Sequence, residues 1–356
     1  MSGQTAKARY RVVQWATGNV GARALRGAIE HPLLELVGVY VHSADKAGRD
    51  AGEIAGTAPT GVLATNAIED VIALKPDCVL YMPHQTNFDE ICRLLESGAN
   101  IVTTRGDFHR ADSLEPAIRA RIEAACAQGR SSIHSTGSSP GFITEAVPIV
   151  LASIQRRVDS ISINEFADCS SRDSPAMLFE VMGFGQAPGG SGPAEQARYD
   201  YLRDAFSPSL HHLADALGLT IDGFEATGGV GVTRADLPIA AGVVPAGTVA
   251  AQRTRVSGMR DGKPLISFTA TWYVSADVDT GPGEHWDFRG SGWRVVVEGD
   301  CPLDVVISFP VAPENYAEMT PGLTANRPVN VVPYLCDAPP GIRSTADLPQ
   351  IIARLG

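Results

Sequence analysis

The stretch Tyr10-Arg11-Val12-Val13-Gln14-Trp15-Ala16-Thr17-Gly18-Asn19-Val20-Gly21 decides how the rest of the chain is read. An apolar run of strand type ends in small residues, and a helix-like segment, Val20 to Glu30, follows at once. A strand, a tight turn and a helix in this order open a βαβ unit. In such a turn the first small residue permits the sharp bend. The second lets backbone approach a phosphate, and the third lets the helix pack close to the strand. Here the three positions are Ala16, Gly18 and Gly21, with alanine in place of the usual first glycine. The free N–H groups and positive dipole of the following helix then suit a pyrophosphate. Ala16, Thr17, Gly18, Asn19, Val20 and Gly21 are therefore the candidate phosphate-binding turn of a dinucleotide site.

Outward from this turn, the first 150 residues alternate strand and helix. Leu34 to Val41, Gly61 to Ala64, Asp77 to Met82, Ile101 to Thr104 and Ser131 to Ser135 read as strands. Ala67 to Leu74, Phe88 to Ser97 and Leu114 to Ala127 read as helices, with Gly98 and Gly129 as expected stops. Connections of a few residues in this pattern predict a Rossmann-type parallel sheet with helices on both faces. Beyond Leu151, six stretches read as strands, several alternating apolar with polar: Ser160–Ala167, Ile221–Ala226, Thr248–Ser257, Leu265–Val274, Trp293–Glu298 and Asp304–Phe309. They predict an α+β second domain with a mixed or antiparallel sheet, interrupted by one long helix from Ala194 to Leu217. The expected organisation is a dinucleotide-binding domain over 1–150, a substrate and dimerisation domain over 151–312, and a tail over 313–356 that packs back on the first domain. Gly183 to Pro193 is rich in Gly and Pro and reads as a mobile loop.

Composition narrows the function classes. The 356 residues carry 29 Lys+Arg against 40 Asp+Glu, a net charge of −11, which disfavours nucleic acid and anionic membrane as partners. No apolar run approaches the ~18–20 residues of a membrane helix. Met1 to Tyr10 lacks the apolar stretch of a signal peptide. The six cysteines are scattered without a CxxC pair, so neither a disulfide framework nor a zinc knuckle is indicated, and a reduced, cytoplasmic protein is expected. Glu284, His285 and Asp287 have metal-ligand side chains but lack a second ligand pair at helical spacing, so no metal is assigned.

An NAD-selective site carries an acid about 20 residues past the last glycine. That window reads Tyr40-Val41-His42-Ser43, without one, and Ser43, Lys46 and Arg49 offer partners for a 2′-phosphate. The reading leans to NADP, and nearby Asp45 keeps NAD open. Gly137-Ser138-Ser139-Pro140-Gly141 matches a hydrolase nucleophile elbow, but the N–H after the serine that would stabilise an oxyanion is missing at Pro140. This turn follows the last strand of the alternating domain, so Ser139 is instead a candidate cofactor contact, as are Pro83 and His84 at another strand end. In Thr104-Arg105-Gly106-Asp107-Phe108-His109-Arg110, Thr104 and Arg105 are candidate cofactor contacts.

Taken together, Gln14 to Gly21, His134 to Phe142 and Asp168 to Pro175 resemble the dihydrodipicolinate-reductase-like superfamily. Within it, the chain is more similar to the branch of 2,4-diaminopentanoate dehydrogenase and the native amine dehydrogenases. The resemblance implies hydride transfer between a nicotinamide and a C=N or C–N centre, and a C-terminal domain that forms a homodimer. It also implies a glutamate in the loop after Ile101–Thr104 that handles the substrate nitrogen; this chain has none there, so Asp107, with shorter reach, and His109 are the candidate acid–base residues. The reductases' paired-histidine motif is followed by a lysine; here His211-His212 is followed by Leu213-Ala214-Asp215, which argues against lysine biosynthesis. The expected substrate is a small ketone, aldehyde or imine. A carbonyl reductase and a non-catalytic redox sensor are the alternatives.

Overall fold

The computed structural model describes residues 9–189, 193–312 and 315–355. They divide into two compact units, one of residues up to Phe142 together with Thr320 onward, the other from Ile143 to Met319.

The first unit is built on a seven-stranded, all-parallel sheet. Its strands are β1 (Tyr10–Trp15), β2 (Leu34–Tyr40), β3 (Ala64–Thr65), β4 (Cys78–Tyr81), β5 (Asn100–Thr103), β6 (Ser132–Ser135) and β15 (Gly341–Arg343). Their order is β15-β6-β5-β4-β1-β2-β3, so the winding reverses between β1 and β4. That reversal opens a crevice at the C-terminal ends of the strands, where ligands of such sheets bind. Val12, Val13, Gln14 and Trp15 are all fully buried, as a central strand between two helix layers requires. On one face α3 (Ile68–Ala73), α4 (Phe88–Glu96) and α5 (Pro116–Gly129) cover Val13, Trp15, Val79 and Ile101. On the other, α1 (Asn19–Glu30) and α8 (Tyr316–Cys336) enclose Val12, Leu80 and Val102 through Ala24, Ala28, Val329 and Val332.

Local signals explain most helix ends. The Asn87 side chain accepts from the N–H groups of Asp89 and Glu90 to start α4, and Gly98 follows its end with φ +95°. Glu115 caps α5, with Pro116 in the first turn. Gly129 is not the stop but the last helical residue. A Cβ there would lie 1.8 Å from the Leu95 carbonyl oxygen, so the glycine serves close packing and Arg130 takes the left-handed turn at φ +54°. In the first unit, α2 (Ala51–Ala55), in the loop after β2, and the edge strand β15 in the tail escaped the sequence reading. Both are short, and β15 is defined by its pairing to β6 rather than by its own composition.

The second unit contains α6 (Val147–Ala152), β7 (Val158–Asp168), α7 (Pro193–Ala216), β8 (Gly223–Val232), β9 (Leu237–Ile239), β10 (Gly242–Val244), β11 (Val249–Arg260), β12 (Lys263–Tyr273), β13 (Gly292–Gly299) and β14 (Leu303–Ser308). Six strands form a mixed sheet in the order β14-β13-β7-β12-β11-β8, in which only β7 and β12 run parallel. β9 and β10 make a separate hairpin that the sequence reading missed. α7 lies against β8, β11 and β12, with Phe206 stacked on Phe268 at 4.0 Å. The expected mobile loop is anchored over its first part: Phe184 is buried and the Gly185 N–H donates to the Val249 carbonyl. Residues 190–192 of that loop, 313–314 at the expected start of the tail, and 1–8 lie outside the described residues.

Candidate active site

The turn after β1 is shaped by backbone geometry. Ala16 adopts φ +69°, a left-handed conformation that glycine normally takes at this position. The buried Gln14 amide holds it there, with Nε2 donating to the carbonyl oxygens of Trp15 at 3.2 Å and Ala16 at 2.9 Å. Gly21 is needed for a second reason: a Cβ would fall 2.2 Å from the Ala16 oxygen. Gly18 differs from both. It caps α1 in extended geometry, and a Cβ there would meet no protein atom within 4 Å. The helix start has no side-chain cap and no acid in its first turn. Its N–H groups and dipole therefore face open space suited to an anion.

The loop after β2 closes over this turn. Lys46 Nζ lies 3.2 Å from the Thr17 carbonyl oxygen and 3.3 Å from Thr17 Oγ1, and among the described residues no carboxylate pairs with it. Ser43 donates its hydroxyl hydrogen bond to Asp45. Arg49 pairs with Glu53 at 2.7 Å, an exposed contact of i,i+4 spacing. Beneath the loop, Trp15 stacks on Tyr40 at 3.6 Å and Tyr40 meets the His42 ring edge-on at 5.2 Å. His42 then lines an open groove of about 700 Å³ with Pro83, His84, Thr86, Glu90 and Arg121. Burial pushes the Tyr81 hydroxyl's pKa well up, and that hydroxyl donates to Glu90 at 2.9 Å beside the groove.

The loop after β5 forms a polar network with the loop after β4. Arg105 donates from Nη1 to the His84 carbonyl at 3.0 Å and from Nε to Thr86 Oγ1 at 3.1 Å. Thr86 in turn donates to Asp107 Oδ2 at 2.6 Å, and Arg105 Nε stands 3.9 Å from the same carboxylate. Ser135 fixes the loop's backbone by donating to the Arg105 carbonyl and accepting from the Phe108 N–H. His84, Arg105 and Asp107 are thus brought together. His109 is separated from solvent at 2% exposure, while Thr104 is half-buried between β5 and Arg105. The Ser139 hydroxyl oxygen is buried and has no hydrogen-bond partner among the described residues. Its loop is braced by α8, where Arg327 Nε donates to Thr136 Oγ1 at 2.9 Å and Thr324 bonds Ser138 at 2.7 Å. Gln14, Thr86 and Arg327 were missed as site residues. Only Gln14 left a trace, as the amide in an otherwise apolar strand.

The family model for the 2,4-diaminopentanoate dehydrogenase C-terminal domain matches residues 142–356. An amine dehydrogenase of Streptomyces virginiae is 30% identical over 378 aligned positions, 97% of this chain and 98% of that protein. The chain belongs to this dehydrogenase family. The 2,4-diaminopentanoate dehydrogenase of Acetoanaerobium sticklandii is 24% identical, covering 95% of this chain and 94% of its own length. The solved amine dehydrogenase of Mycobacterium smegmatis shares the fold over 99% of both chains, with a TM-score of 0.76 at 19% identity. The chain is accordingly an NAD(P)-dependent oxidoreductase of a family named for dehydrogenation at carbon–nitrogen centres. No helix among the described residues is long and apolar enough to cross a membrane, and no His, Cys, Asp or Glu group among them could hold a metal ion.

Proposed function

We propose that this chain reduces a carbon–nitrogen double bond, formed from a small ketone or aldehyde with ammonia or supplied as an imine, using NADPH. The observation that carries the cofactor reading is the uncapped start of α1, open at Gly18 and overlaid by an ammonium, Lys46, that no described carboxylate neutralises. A bound dinucleotide supplies the hydride. Ala16 to Gly21 would hold its pyrophosphate, Ser43 and Lys46 its 2′-phosphate, and His42, Pro83, His84, Thr104, Arg105 and Ser139 the rest. Asp107, oriented by Thr86 and Arg105, moves the proton at nitrogen, and buried His109 is the second candidate. The names of the two curated relatives support the C–N centre. The reading includes a homodimer in the cytoplasm, which its six free cysteines suit; light scattering on the purified protein checks the dimer.

The test is a fluorescence titration with NADPH and NADH, followed by a screen of small ketones with and without ammonia for loss of reduced-nicotinamide absorbance. Tighter NADPH binding, weakened about tenfold or more in Lys46→Ala, supports the assignment, one charged contact being worth at least that factor. Tighter NADH binding overturns it in favour of Asp45, whose carboxylate beside Ser43 is the feature favouring NAD. Turnover that does not need ammonia would instead indicate carbonyl reduction.

A further inference from the structure

In the second unit, two short segments place four cations along one groove of about 700 Å³. Arg156 and Arg157 lead into β7, and Arg260-Asp261-Gly262-Lys263 joins β11 to β12. Asp-Gly is favoured in a two-residue hairpin turn, and here both residues take positive φ, +50° and +72°. The turn sets Arg260 directly opposite Lys263. Like charges at opposed strand positions repel, so an anion between them would relieve the pair. Backbone hydrogen bonds fix both segments. Asp300 accepts from the N–H groups of Arg156 and Arg157, and Asp222 accepts from that of Asp261.

The cations are lightly held. Arg156 lies 3.2 Å from Asp300, Arg157 3.0 Å from Asp159, and Arg260 3.8 Å from Asp261. All three arginines are exposed, so these pairs contribute little and leave guanidinium N–H groups for another oxyanion. Among the described residues no carboxylate pairs with Lys263. The lining thus carries four cations against two carboxylates, in a chain whose net charge is −11. Its remaining wall is aliphatic: Ala152 and Leu265 are buried, and Val158, Leu217 and Leu219 half-buried. A surplus of two positive charges suits one carboxylate better than a polyphosphate. An aliphatic wall, with no aromatic among its described lining residues, suits an alkyl chain better than a nucleobase, which binds by stacking on rings. We propose that this groove binds a medium-chain alkyl carboxylate, its head at Arg260 and Lys263 and its chain along Leu217, Leu219 and Leu265. The volume is ordinary for a small-molecule site. Every residue invoked belongs to the second unit, so the proposal stands or falls separately from the cofactor turn.

Head and chain are tested separately by calorimetric titration of the full-length protein without dinucleotide. Sodium octanoate is the probe, with sodium hexanoate, octylammonium chloride and 1-octanol as comparisons. Saturable binding of octanoate is expected, with affinity rising at least about twofold for each methylene added from hexanoate, as apolar burial requires. Octylammonium and 1-octanol should bind at least about tenfold more weakly, for want of a negative head. Replacing both Arg260→Glu and Lys263→Glu should weaken octanoate about tenfold or more, and Lys263→Gln alone about threefold. The proposal is overturned by absence of saturable binding, by equal affinity for 1-octanol or octylammonium, by indifference to chain length, or by unchanged affinity in the double variant. Should the double variant fail to fold, Lys263→Gln is read in its place, because its side chain is exposed and unpaired among the described residues; equal affinity there overturns the proposal. NADPH titrated in parallel reports on the first unit, so the two readings fail independently.

Discussion

Gly18 and Gly21 both belong to the proposed phosphate turn, yet alanine at each should fail in a different way. In Gly21→Ala the new methyl would sit 2.2 Å from the Ala16 carbonyl oxygen and 3.2 Å from Gln14 Nε2. The close neighbour is backbone, already held at φ +69°, so α1 must retreat by about 1 Å to restore van der Waals contact. Overpacking of this kind costs about 1–3 kcal/mol, against about 1 kcal/mol gained from replacing a helical glycine. The net loss is up to about 2 kcal/mol, or roughly 2–4 °C in melting temperature for each kcal/mol in a unit of this size. The displaced turn should also bind the dinucleotide at least about tenfold more weakly, since close backbone approach sets phosphate affinity. In Gly18→Ala the methyl meets no protein atom and the backbone stays in the extended region, so the melting temperature should hold. Binding should still fall about tenfold or more, because the methyl occupies the side from which a phosphate approaches. Scanning fluorimetry without cofactor and NADPH titration separate the two effects. A Gly18→Ala protein that binds like wild type, or a Gly21→Ala protein as stable and as tight as wild type, would refute the reasoning.

Three further outcomes follow from the same geometry. Ala16→Gly relieves a left-handed alanine and should raise stability by about 0.5–1 kcal/mol in urea titration with cofactor binding retained, while Gln14→Leu should lower both by freeing two buried carbonyls. Asp107→Asn should reduce kcat at least about a hundredfold with dinucleotide affinity unchanged, and a full-rate variant would return the proton-transfer role to another group. Burial and Asp337 push the Tyr10 hydroxyl up from 10.0 to about 12, so the fold favours its neutral form. The associated stability is intact below pH 10 and is lost as pH rises toward 12. Tyr10→Phe should therefore show a shallower fall in melting temperature across that window, and an identical slope would exclude Tyr10 as a contributor.

Much of this molecule is legible in local sequence because its signals are local. The alternation of β1 through β6 with their helices follows from apolar runs and caps such as Asn87 and Glu115, which act within four residues. The turn at Ala16 to Gly21 is equally legible, since strand, small residues and helix adjoin. The candidate acid–base loop is only half legible. Asp107 stands out by type, but its partner Thr86 lies 21 residues away and is brought to it by the parallel pairing of β4 with β5.

Composition and pattern by themselves determined the two-part α/β architecture and the strand, tight turn and helix at Tyr10 to Glu30. Tertiary structure alone decided that Gln14 holds Ala16 in its left-handed turn, that Lys46 bridges to Thr17 while Arg49 turns to Glu53, and that Gly129 packs rather than stops a helix. It also decided that Arg156 and Lys263, from distant segments, line one groove. The division has one physical cause. Backbone propensity and capping are set by neighbours in the chain, whereas close approach and charge pairing depend on which distant segments the folded sheet brings into contact.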